Sequence, residues 1–75
     1  MIADIFIKND TTVFKLAAFY DRMEAAFGGC ADIKILCYAR IISVTIDSEV
    51  FISDRQIREE AVSLDYIITD IVRRG

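Results

Sequence analysis

The chain opens on alternation. Ala3, Ile5 and Ile7 fall on one side of an extended segment and Ile2, Asp4, Phe6 and Lys8 on the other, the pattern of a strand with one apolar face. Asn9-Asp10-Thr11-Thr12 supplies helix-capping residues. Val13, Leu16, Tyr20, Met23 and Phe27 then recur at spacings of three and four, which predicts an amphipathic helix over 11–27. Gly28-Gly29 reads as its end, where glycine takes the left-handed conformation a helix terminus often needs.

A second alternating series follows, with Ile33, Ile35, Cys37 and Ala39 opposed by Lys34, Leu36, Tyr38 and Arg40. In the next one, Ile42, Val44 and Ile46, the apolar phase has moved from odd to even, so a turn or bulge belongs near Tyr38–Ile41. Asp47-Ser48-Glu49 reads as a turn, with Val50-Phe51 extending the sheet briefly. Ser53 and Gln56 form a capping box, and Ile52 and Ile57 occupy the two staple positions. Ile57, Ala61, Leu64, Ile68 and Ile71 continue at helical spacing and predict a helix over 54–73, closed by Arg73-Arg74 as the helix dipole prefers. The expected fold is α+β: one β-α-β-β-α domain over 1–75, two helices on one face of a three-stranded, mainly antiparallel sheet. Ile5, Leu16, Tyr20, Ile35, Val44, Leu64 and Ile68 are expected in the core, and Cys37 with them.

Composition narrows the function classes. At 75 residues, with 55% hydrophobic and 28% charged, the chain suits one small domain and argues against disorder. A chain this short buries only about 60% of its unfolded surface, so its apolar excess suggests a homodimer or another protein partner. The net charge of −3 argues against a dedicated nucleic-acid binder. Met1–Asp10 does not read as a signal peptide, and no apolar run approaches the roughly 20 residues a membrane span requires. With only two cysteines, a cytoplasmic protein carrying free thiols is expected, with no membrane partner.

No catalytic, cofactor or metal site emerges. The chain has no His, which removes the commonest general base and zinc ligand. Cys30 follows the electronegative end of a predicted helix and lies near Asp32, a poor setting for a thiolate, so it reads as an ordinary loop or half-buried cysteine. Two thiols without His do not close a zinc site. Asp47 and Glu49 lack a calcium loop around them. Gly28-Gly29 follows a helix, whereas a phosphate loop opens one.

What remains is surface. On the second predicted helix, Glu59, Val62, Tyr66 and Asp70 share the side away from the core, an aromatic between acids, and form the expected partner-binding surface. On the outer sheet face, Ile2, Phe6, Leu36 and Tyr38, with Ile41, form a candidate dimer face. Phe6, Lys34, Tyr38 and Arg40 combine aromatics with cations as RNA-binding sheets do. The expected fold lacks the fourth strand and the aromatic motif of those sheets, and direct nucleic-acid binding is set aside.

The order of elements and several strings resemble the DinI-like family of small DNA-damage-inducible regulators. They are a first strand ending near Lys8, Met23-Glu24-Ala25-Ala26-Phe27 closing a helix, Ile33–Ala39 ending in Tyr-Ala, Ile42-Ser43-Val44-Thr45, and an acidic segment from Asp54. Gly28-Gly29 stands where that family has Pro-Asp, and the chain closes without the family's tryptophans and dense acids. The resemblance implies a non-catalytic modulator that binds a recombinase filament through an acidic C-terminal helix, here Asp54, Glu59, Glu60, Asp65 and Asp70. The expected function is therefore a small acidic interaction module that inhibits or modulates a larger protein, such as a nucleic-acid-binding protein or complex. The alternatives are a phage-encoded inhibitor of a host defence complex, of anti-CRISPR type, and a purely self-associating structural protein.

Overall fold

The computed structural model describes all 75 residues, Met1–Gly75. The chain runs β1 (Ile2–Ile7), α1 (Val13–Phe27), β2 (Ala31–Tyr38), β3 (Ile41–Ser48), α2 (Asp54–Ala61), a 3-10 helix (Val62–Ile67) and β4 (Ile68–Arg74). The strands make one antiparallel sheet in the order β2-β3-β1-β4. β1 and β2 thus run parallel with β3 between them, the split β-α-β arrangement of ferredoxin-like folds. Both helices contribute to a single core on one face: Phe19, Met23 and Phe27 from α1, and Ile57 and Ala61 from α2, join Ala3, Ile5, Ile7, Val44 and Ile46. No helix is long and apolar enough to cross a membrane.

The local helix codes operate as written. Thr12 caps α1 by accepting from the Lys15 N–H, and Ser53 and Gln56 form the capping box of α2. Ile52 and Ile57 of the staple are both buried. The core face of α1 is rotated from the expected one. Phe19, Met23 and Phe27 are buried, Leu16 and Tyr20 flank them, and Val13 is 79% exposed. Gly28 is right-handed (φ −60°), not left-handed. Its lack of a side chain matters through space, because a Cβ there would lie 2.4 Å from the Glu24 carbonyl oxygen.

The last third of the chain departs most from the expected fold. The expected helix over 54–73 stops at Ala61, and the sheet gains a fourth strand. Val62 ends α2 with φ +53° and ψ −133°, a conformation foreign to a β-branched residue. The Arg22 guanidinium donates to the Ala61 carbonyl at 2.6 Å and satisfies that helix end. Beyond the 3-10 turn, β4 pairs with β1, which places Arg73 and Arg74 opposite Ala3 and Ile2 and not at a helix terminus. Leu64 packs against the core only in part. Val50-Phe51 lies outside the sheet, while the turn expected near Tyr38–Ile41 is present, with Ala39 at φ +56°.

Candidate interaction surface

The face of the sheet turned away from the helices is open, and register defines what it carries. Along successive rungs from β2 to β4 the side chains read Asp32, Asp47, Ile2, Arg74; then Lys34, Thr45, Asp4, Val72; then Leu36, Ser43, Phe6, Asp70; and finally Tyr38 beside Ile41. All four residues of the candidate dimer face, Ile2, Phe6, Leu36 and Tyr38, are therefore brought to one surface. Ile2 and Phe6 are half-buried, while Leu36, Tyr38 and Ile41 are exposed by 53, 83 and 57%. Val72, which helical spacing hid, joins the same face. The apolar side chains gather toward the β2–β3 hairpin, and the charges toward its other end.

At the middle of this face stands Asp4, its side chain only 14% exposed. It accepts from Thr45 Oγ1 at 2.8 Å and from Arg74 Nε at 2.6 Å. The Arg74 hydrogen bond holds the Asp4 carboxyl below the usual aspartate range, against the opposing effect of burial. Ser43 and Thr45 are buried although no element covers them, because each sits low between larger neighbours in the register, Leu36 and Phe6 for one, Lys34 and Asp4 for the other. The absence of a fourth strand no longer counts against nucleic acid, since β4 supplies it. Charge still does: Asp4, Asp32, Asp47 and Asp70 outnumber Lys34 and Arg74 on the face, and β3 offers it Ser43 and Thr45 where stacking needs aromatics.

The expected partner-binding quartet does not share a helix. Glu59 lies on α2 and pairs with Arg55 at 2.9 Å; Val62 is the strained helix end; Tyr66 belongs to the 3-10 turn; Asp70 lies on β4 opposite Phe6, on the open sheet face. Tyr66 is 51% exposed, but its flanks are basic and not acidic: Lys8 and Lys15 place their ammonium groups 5.9 and 5.3 Å from the ring centre. The five acids expected along one C-terminal helix are likewise divided, with Asp54, Glu59 and Glu60 on α2, Asp65 in the 3-10 turn and Asp70 on β4.

Both cysteines are free and exposed, so Cys37 is not core. The Cys30 thiol donates weakly to the Phe27 carbonyl at 3.5 Å. A shallow depression beside it is lined by Asp32, Asp47 and Glu49, and no three His, Cys, Asp or Glu side chains are grouped to hold a metal ion. Compared with known proteins, the chain matches no family, no curated protein and no solved structure.

Proposed function

We propose that this chain is a non-catalytic interaction module that modulates a larger protein through the open face of its sheet. The observation that carries the reading is the cluster of Leu36, Tyr38 and Ile41 at the β2–β3 hairpin, exposed and continuous in register with the half-buried Phe6. An exposed aromatic beside aliphatic side chains with a charged rim has the composition of a binding hot spot. The excess of carboxylates on that face favours a basic partner surface, such as that of a nucleic-acid-binding protein, and steers its approach. A DinI-like recombinase modulator is one version of this function. In that version the sheet face takes the role that the resemblance gave to an acidic C-terminal helix, because α2 retains only Asp54, Glu59 and Glu60.

The test is capture of a partner from a lysate, compared between the wild type and Tyr38→Glu or Ile41→Glu. Both positions are already exposed, so melting is expected to stay unchanged while capture is lost. Undiminished capture by both variants would move the binding surface elsewhere.

A further inference from the structure

The two edges of the sheet are built differently. β4 carries Asp70, Arg73 and Arg74 and meets β1 through a register shift at Phe6/Ile7, both of which discourage a further strand. β2 is less protected: it carries Asp32 and Lys34 but has no register shift. Its stretch Ile33–Tyr38 has one charge, Lys34, no proline and an unbroken register with β3. It is also apolar on both faces, with Ile33, Ile35 and Cys37 on the helix side and Leu36 and Tyr38 on the open side. That composition belongs to a strand covered on both sides, yet every residue from Lys34 to Tyr38 is exposed. Ile35, on the core side, is 38% exposed, a correction to its expected burial.

We propose that the free edge of β2 pairs with β2 of a second copy, antiparallel about a two-fold axis at Ile35, to make one continuous sheet across the dimer. The two-residue hairpin closed at Tyr38 and Ile41 turns the main-chain groups of Tyr38, Leu36 and Lys34 toward β3. The N–H and C=O groups of Ile33, Ile35 and Cys37 are then left on the free edge. A two-fold axis perpendicular to the sheet keeps each copy's helix side together and pairs only residues of the same face. Among such registers two engage nearly the whole strand. One sets Lys34 against Lys34 of the second copy, like charges directly opposite, which destabilises pairing. The other sets Ile35 against Ile35, Ile33 against Cys37 and Lys34 against Leu36, with no like charges directly opposite. It also continues the apolar helix-side surface from one copy to the next, covers Ile35 and Cys37, and leaves the open face of both sheets free for another partner.

Mass in solution at high micromolar concentration tests the pairing, with the expected value twice 8.5 kDa. Ile35→Lys sets two ammonium groups against each other across the axis and is expected to give monomers with an unchanged circular-dichroism spectrum. Leu36→Glu faces Lys34 of the second copy and is expected to remain dimeric. Stacking of the two open faces predicts the reverse, a dimer that survives Ile35→Lys and is lost with Leu36→Glu, and that result overturns the proposal. A monomeric wild type overturns it as well. Should Ile35→Lys fail to fold, Ile35→Cys in a Cys30→Ser, Cys37→Ser background supplies the same decision. Opposed residues in this register have Cα atoms about 5.5 Å apart, so a short thiol-to-thiol reagent is expected to join two chains, and failure to join them rules the register out. None of these results depends on whether the open face captures a foreign protein.

Discussion

Arg74 donates from Nε to Asp4 Oδ2 at 2.6 Å, tying the last strand to the first across the middle of the open sheet face. Thr45 of β3 donates to the other carboxylate oxygen, so one half-buried acid joins three neighbouring strands. The pair satisfies main requirements of a charge placed among apolar neighbours, namely an opposite charge and filled hydrogen-bond positions.

Asp4 makes stability depend on acid pH. Its carboxyl is held below the ordinary aspartate value of about 3.9, chiefly by the Arg74 hydrogen bond, so its contribution is complete above that value. It is lost as pH falls through the lower, folded-state value. Urea unfolding of the wild type is expected to show this loss below about pH 4. Asp4→Asn is expected to flatten it, at a cost of about 1 kcal/mol at neutral pH because Arg74 remains partly in water.

Two positions hold positive φ without glycine, Ala39 at +56° and Val62 at +53°. Ala39 is the first residue of a two-residue hairpin turn, where glycine is favoured. Ala39→Gly and Val62→Gly are each expected to raise stability by about 1 kcal/mol, net of the extra unfolded-state entropy of glycine. Thermal melting of the two variants checks this, and a lowered melting point at either would show that its backbone is not strained.

Phe19 is fully buried at the centre of the core, whereas Leu64 only flanks it. Phe19→Ala is expected to cost about 3–5 kcal/mol, the range for deleting a buried aromatic. Leu64→Ala is expected to cost less, about 1–2 kcal/mol, because Leu64 is only partly buried at the margin of the core. Denaturant midpoints at constant slope give the comparison.

The elements that the sequence by itself determined are those coded within a few residues: α1 with its Thr12 cap, α2 with its capping box and staple, and the strands of β1, β2 and β3 with their alternating faces. The grouping of Ile2, Phe6, Leu36 and Tyr38 on one surface followed from the same alternation. Tertiary structure alone decided β4. Ile57, Ala61, Leu64, Ile68 and Ile71 continue one helical phase, and nothing local marks its end except the β-branched run Ile67-Ile68-Thr69. In a regular strand Ile68 and Ile71 would face opposite sides. The register shift at Phe6/Ile7 brings them opposite Ile7 and Ile5, so both turn inward despite their odd spacing. The free edge of β1, a chain length away, supplies the hydrogen-bond partners that make a strand there. That long-range pairing moved Asp70 to the sheet face and divided it from Glu59 and Tyr66, separating the surface that helical spacing had drawn together.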